Sequence, residues 1–363
     1  MQKVIILTEG GENIGFGHVT RCLSLYQAFE KRGYLPELVV NGDDSIRGVL
    51  AYQRFQVGDW MKNPGKYVRP VEGKKIVIVD SYQARSDTYK KISSLAHIPV
   101  FLDDNGRIDY PAGTVINWNI YAKEIDYPKR DNISYLLGPG YISMRKAFWT
   151  VPEKVINKRV DRILITFGGD DSKNLTPGIL HLLAKNYPTL EKTVVIGNAF
   201  THLPEIKSAA DQKTTLISCA DDEKMKSLML AADIAVTSGG QTLYELARTG
   251  CPAVVLAAAD NQGRNVAGWH KTGFIRNAGS WHDRDLLKKV KKNVQELDSA
   301  EKRRLASGIG RAVIPGNGAN QIIDFIEKRV APAAHEGTGN PVPGRIDEKV
   351  CFFNKLSRSI SKK

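Results

Sequence analysis

The stretch GENIGFGHVTRC, residues 11–22, sets an imidazole and a guanidinium three positions apart behind two glycines. It follows the apolar run VIILT (4–8) and leads into the amphipathic TRCLSLYQAFEKRG (20–33), so it lies where a strand turns into a helix. Such a turn is an anion site in outline, because the first N–H groups of a helix are unpaired and its dipole favours negative charge. Gly15 and Gly17 let the main chain approach a ligand closely. His18, at the helix start, is placed to accept a proton as a neutral imidazole. Arg21, about one turn on, is placed to hold a phosphate or a carboxylate.

A second constellation lies in TSGGQTLYELARTG (237–250). Ser238, Gly239 and Gly240 end a strand, Gln241 and Thr242 open a helix, and Glu245 falls in its first turns. The glycines and their amides suit a phosphate or diphosphate. Glu245 suits sugar hydroxyls, the role an acid takes toward ribose in dinucleotide sites; a favourable acid near a helix N-terminus is the plainer alternative. In AAADNQGRNVAGW (257–269), Asp260, Asn261 and Gln262 gather donors and acceptors fit for a polyhydroxy or acetamido ligand. Gly168 and Gly169, in TFGGDDSKNLT (166–176), form another strand-to-helix turn, where Asp170 and Asp171 either cap a helix or meet ligand. Asp80, Tyr82, Asp103 and Asp104 also sit at strand ends, in VDSYQ and LDDNGR. No histidine or third carboxylate joins the Asp103–Asp104 pair, so no metal is expected. The other histidines, and Trp118, Trp149, Trp269 and Trp281, read as packing or surface. The chain lacks G-x-S-x-G, a Walker loop and a complete G-x-G-x-x-G, which argues against a serine hydrolase, a P-loop enzyme and a Rossmann dehydrogenase.

These loops need strands to position them. VIILT, ELVV (37–40), KIVIVD (75–80), VFLDD (100–104) and TVIN (114–117) read as buried strands alternating with helical segments. After a connecting segment, RILITFGG (162–169), KTVVIG (192–197), TTLIS (214–218), IAVTSGG (234–240) and PAVVLAA (252–258) repeat the pattern. Alternation of this kind implies parallel sheets covered on both faces, here in two open α/β units over 1–152 and 153–330. Ligands bind at the carboxyl ends of such strands, so the expected site is the cleft between the units. Residues 331–363, rich in Pro, Gly and Ala and then basic, read as a flexible tail. Its end, CFFNKLSRSISKK, is alternatively a short basic helix for peripheral contact with a membrane or partner.

The 363 residues carry a formal charge of +13, much of it in LLKKVKKNVQELDSAEKRR (286–304), whose helical spacing reads as a solvated face. No nucleic-acid-reading motif accompanies it, so nucleic acid is not an expected partner. No apolar run reaches the ~20 residues of a membrane helix, and MQKVIILTEG is strand-like rather than a signal peptide. Cys22, Cys219, Cys251 and Cys351 are scattered, which fits a reducing compartment and a cytoplasmic protein. Oligomeric state is not legible.

Taken in order, IGFGHVTRCLSLYQAF, IVDSYQ, LDDNGR, INWNIYAKEIDY, LLGPGYISMRKAFW, ITFGGDDSKNLT and TSGGQTLYELA with DNQ resemble the PseG family, the UDP-sugar hydrolases of pseudaminic acid biosynthesis. The resemblance spans roughly residues 3–328 and leaves out the tail. It implies the GT-B fold of MurG-type glycosyltransferases, two Rossmann-like domains facing across a cleft, with the sugar side in the first and UDP in the second. It implies a UDP-sugar as substrate and no cofactor. By motif, His18 matches the base that activates water for attack on the anomeric carbon, with inversion. Glu245 matches the ribose-holding acid, Ser238–Thr242 the diphosphate cradle, and Asn261 and Tyr82 sugar-side residues. The loop SGGQT departs from the Ser-Ser or Ser-Thr common in the family. Transfer of the sugar to a glycan or lipid is therefore the second expectation, and a catalytically silent nucleotide-sugar-binding or scaffold protein the third.

Overall fold

The computed structural model describes residues 3–68 and 75–330; the tail expected over 331–363, Cys351 included, lies outside them. One sheet is built from β1 (Lys3–Gly10), β2 (Leu35–Gly42), β3 (Phe55–Val57), β4 (Ile76–Asp80), β5 (Ile98–Leu102), β6 (Gly113–Asn117) and β7 (Ile133–Leu137). Its order is β3-β2-β1-β4-β5-β6-β7. The second contains β8 (Arg162–Thr166), β9 (Glu191–Ile196), β10 (Thr214–Ser218), β11 (Ile234–Ser238), β12 (Ala253–Ala257) and β13 (Ile275–Ser280), in the order β10-β9-β8-β11-β12-β13. Every pairing is parallel, as the α/β reading requires.

In each sheet the chain builds toward one edge and then returns to build toward the other. The order reverses between β1 and β4 in the first and between β8 and β11 in the second. A crevice opens at the carboxyl ends of such strands. That puts the His18 turn beside Asp80 in one half, and the Ser238 turn at the matching place in the other. The strands without a legible signature, β3, β7 and β13, are all sheet edges. An edge strand buries less and needs no continuous apolar run, and β13 reads IRNAGS.

The helix Gly17–Lys31 buries Val19, Cys22, Leu25, Tyr26 and Phe29 against the first sheet. It stops at the expected Gly33, where Gly33 N donates to Glu30 O and Tyr34 N to Phe29 O. The basic stretch 286–304 is two helices, Leu286–Glu296 and Ala300–Val313, the second capped by Ser299. Lys288, Lys292, Lys302 and Arg304 are exposed as expected. Arg303 is not: it is fully buried, and its Nε donates to the Leu297 carbonyl at 2.9 Å across the helix break.

One core cluster runs from Val4 and Phe29 through Phe148 to Leu246, Trp269 and Ile322, so both halves share an interior. The final described helix, Gly318–Val330, falls in the segment expected as the second domain but packs on the first half. There Arg32 pairs with Asp324 and Glu327, and Arg329 donates to Ser134. Met1–Val330 is one compact unit. Among the described residues no helix is long and apolar enough to cross a membrane.

Gly42 faces Gly10 across β1 and β2, and a Cβ at Gly42 would lie 1.7 Å from the Gly10 carbonyl oxygen. Any side chain there pushes β2 off the strand that leads into the His18 turn. Gly42→Ala is expected to lower stability by about 3 kcal/mol, at the upper end of overpacking effects. Urea unfolding checks this, and a wild-type midpoint with an unchanged slope would refute it.

Candidate active site

The turn between β1 and the first helix closes on itself. Gly11 and Gly15 exchange backbone hydrogen bonds of 3.2 and 2.8 Å, with Gly15 at φ +87°, a conformation L side chains rarely adopt. Gly15 thus shapes the turn and does not reach the cavity, whereas Gly17 lines it. His18 follows as the second helical residue. Its Nδ1 lies 2.9 Å from Asp80 Oδ1, and its Nε2 lies 3.8 Å from Glu9 Oε1, beyond hydrogen-bond distance.

Asp80, the last residue of β4, has no solvent exposure. Burial pushes its carboxyl up, but the Arg21 charge, with His18, outweighs this and holds it far below the usual carboxylate range. An ionised carboxylate only accepts, so the His18 nitrogen facing it carries the proton. Arg21 Nη2 also stands 3.1 Å from that nitrogen. A guanidinium cannot accept either, so we read this contact as two donors meeting at Asp80 Oδ1, where Nη2 makes its own short bond.

Arg21 does not present a free fork to a ligand, as its sequence position led us to expect. Its Nε donates to Asp80 Oδ2 at 2.6 Å, and its Nη1 to Asp104 at 2.8 and 3.1 Å. Burial lowers its pKa, and Asp104 and Asp80 more than reverse this. Asp104 is itself pushed up by burial and held down by Arg21. Its other donors are the Tyr82 hydroxyl and Asn119 Nδ2, the latter at 3.0 Å. The Tyr82 ring stands edge-on to His18, centroids 4.6 Å apart. Glu9, buried in β1, fixes this loop by accepting from Tyr82 N at 2.8 Å and from the Ser81 hydroxyl.

Across a cavity of about 670 Å³ stands the second half. Gly239, Gly240 and Gln241 border it, as do Asn261 and Gln262. Gly239 N is already occupied by Leu256 O and by Gln262 Oε1, which also receives Ala258 N at 2.9 Å. Gln262 is therefore a clamp on the loop, joined by Asn265, which donates to Gly239 O at 2.7 Å. The Gly240 and Gln241 N–H groups have no partner among the described residues.

Several expected ligand contacts fall elsewhere. Asp103 is buried and accepts from Tyr110, Tyr127 and Gly106 N, so it closes its own loop. Glu245 does not line the cavity; Arg145 engages both its oxygens at 2.8 and 2.9 Å. Gly168 and Gly169 pack against the backbone at Gly197, outside the cavity lining. Ser238 and Thr242 flank the lining loop without joining it. Asp171 accepts from Leu175 N and Thr176 N and so caps a helix. Trp118, read as packing, does pack, with Arg21 5.7 Å from its ring centroid, and also borders the cavity. Glu9, Asn119, Tyr121, Tyr244 and Arg264 were not singled out, although Asn119, Tyr121 and Tyr244 lie in the stretches that carry the family resemblance. At Glu9 the available hint was an acid near the end of an otherwise apolar strand. Among the described residues no cluster of three His, Cys, Asp or Glu could hold a metal.

No protein-family model matches the chain. An uncharacterised protein of Methanocaldococcus jannaschii is 29% identical over 274 residues, covering 70% of this chain and 55% of that protein. The spore coat polysaccharide biosynthesis protein SpsG of Bacillus subtilis is 27% identical, over 71% of this chain and 78% of its own. The Helicobacter pylori pseudaminic acid cytidylyltransferase and UDP-2,4-diacetamido-2,4,6-trideoxy-beta-L-altropyranose hydrolase is 26% identical, over 68% of this chain and 43% of its own. The chain thus spans about half the length of the first and less than half of the last. The resemblance to the PseG hydrolases accordingly holds beyond the motifs. Among solved structures, MurG of Acinetobacter baumannii aligns with a TM-score of 0.61 and 14% identity, over 90% of this chain and all of that one. Phytolacca americana UGT2, complexed with UDP-2-fluoro-glucose and pterostilbene, gives 0.62 at 10% identity, over 91% and 100%. These two likenesses show the GT-B fold.

The depressed Asp80 pKa makes the site a source of acid sensitivity. Its stabilisation is complete above the unfolded-state pKa of about 4 and is lost as pH falls below that, because the unfolded carboxyl takes up a proton the native one refuses. Asp80→Asn is expected to cost about 3 kcal/mol at neutral pH, as when one partner of a buried ion pair is removed. It should also flatten part of the loss seen between about pH 5 and pH 2. Urea unfolding across that range measures both, and parallel curves for the two proteins would rule the account out.

Proposed function

We propose that this chain hydrolyses a UDP-linked 2,4-diacetamido-2,4,6-trideoxyhexose to UDP and free sugar, in nonulosonic (pseudaminic) acid or surface-polysaccharide biosynthesis. The observation that carries the reading is His18, held by a buried ionised Asp80 through Nδ1 and bordering a cavity that both halves line. With the proton on Nδ1, the lone pair belongs to Nε2, the nitrogen that can act as base. A water oxygen attacks the anomeric carbon, the bond from that carbon to the diphosphate oxygen breaks, and its electron pair leaves with UDP. The water proton passes to Nε2, and attack opposite the leaving group inverts the centre. The imidazolium so formed faces Asp80 and Glu9, whose charges favour it as the carboxylate of a catalytic triad does.

A diphosphate leaves readily and needs stabilisation of its charge more than a proton. The unpaired N–H groups of Gly240 and Gln241, at the opening of the helix Thr242–Thr249, are suited to that. Tyr82 and Asn261, bordering the same cavity, serve as sugar-side contacts in this reading. The hydrolase named among the relatives supports water as the acceptor. The glycosyltransferase neighbours favour a second reading, in which a glycan or lipid hydroxyl takes its place.

His18→Asn is expected to lower kcat by at least ~100-fold, the lower end of general-base effects, with UDP affinity kept. Full activity in that variant would end the mechanism. Incubation with the UDP-diacetamido-sugar in buffer alone should release UDP and free sugar. Intact substrate that turns over only once an acceptor is added would replace hydrolysis with transfer.

A further inference from the structure

Three arginines border the cavity, and they are not in the same state. Arg21 is neutralised by Asp80 and Asp104. Arg107 is drawn under the β4 loop, its Nη2 donating to Ser81 O at 3.1 Å and to the Tyr89 hydroxyl at 3.3 Å. Arg264, in the first turn of the helix Gly263–Thr272, has neither a carboxylate nor a hydrogen-bond acceptor among the described residues. Its guanidinium carbon lies 4.5 Å from the centroid of the Tyr121 ring. That ring is a fixed platform: Tyr121 is nearly buried, and its hydroxyl donates to the Asp104 carbonyl at 3.0 Å.

A guanidinium held against an aromatic face keeps its N–H donors in its own plane, free of the stacking contact. The acids nearby do not compensate it. Asp104 is saturated by Arg21, Tyr82 and Asn119, and the Asp260 side chain is 90% exposed, with His282 at 3.4 Å. The cavity therefore carries an unbalanced, pre-oriented fork of five donors. Such a fork matches paired oxygens on one phosphorus or carbon, which it grips through two parallel bonds.

We propose that Arg264 is a ligand-binding residue that recognises an oxyanion of the substrate, the part Arg21 was expected to play. The inference rests on reading the cavity as a nucleotide-sugar site and adds to it the group that reads ligand charge. The oxyanion has two sources: the diphosphate, which the substrate proposed above carries, and a carboxylate on the sugar, which would replace the proposed sugar with a uronic acid. Arg264 joins the two halves in this task, since it comes from the second and its platform from the first.

Titration calorimetry of the full chain with UDP, UDP-glucose and UDP-glucuronate separates the outcomes. Arg264→Gln is expected to bind the recognised ligand at least ~10-fold more weakly, the scale of a lost charge-assisted hydrogen bond. An equal loss for all three assigns the diphosphate, and a loss confined to UDP-glucuronate assigns a sugar carboxylate. Arg264→Lys keeps the charge without the fork and should recover only part of the affinity; full recovery would overturn bidentate recognition. Unchanged affinity of Arg264→Gln for all three, beside a wild type that binds them, would overturn the proposal alone. A wild type that binds none of them would remove the nucleotide-sugar reading and this inference with it.

Discussion

A carboxylate without solvent exposure, Asp80 at the end of β4, has to be matched by positive charge, and the site is arranged around that requirement. An isolated ionised group at such a position would be driven to neutrality. Arg21 supplies the charge and is shared in turn with Asp104, so the first helix, β4 and the loop after β5 are bound in one network. His18 takes the remaining direction at Asp80 Oδ1. The ring is thereby oriented by a group that also holds three elements together, which couples the chemistry of the site to the stability of the first sheet.

The same device recurs at the loops. Glu9 holds residues 81–83 through its two oxygens, and Gln262 holds Gly239 and Ala258 through one. Both are polar side chains at strand ends or helix starts, engaged with main-chain N–H groups of the loops. Loops fixed in this way keep their geometry without a ligand, which is what a pre-organised site needs. Glu9 and the Oε1 of Gln262 are thereby committed to the protein, while Gln262 Nε2 has no partner among the described residues and Gln262 still borders the cavity.

Positive charge is similarly redistributed. The guanidinium nearest His18 is neutralised and structural, while the uncompensated one lies on the facing half, stacked on Tyr121. The shared core and the return of the last helix to the first half keep these facing groups in register. A cavity assembled from both halves depends on that register in a way a single-domain site would not.

The amino-acid order by itself determined the two parallel sheets, the strand-to-helix turns and the identity of the base candidate. Each of these follows from local pattern: apolar runs of strand length, helix-period stretches, and glycines where the chain must turn. His18, Gly17, Tyr82, Gly239, Gly240, Gln241, Asn261 and Gln262 were legible because they lie at strand ends, where open α/β sheets bind ligands. Which side chain at a strand end faces the cavity was decided only by tertiary structure. Asp103 and Asp104 are adjacent and identical in type, yet one meets Tyr110 and Tyr127 while the other meets Arg21. Arg21 and Arg264 differ in the same sense, because a charge is free or committed according to partners 59 and 83 residues away, and no local pattern records them.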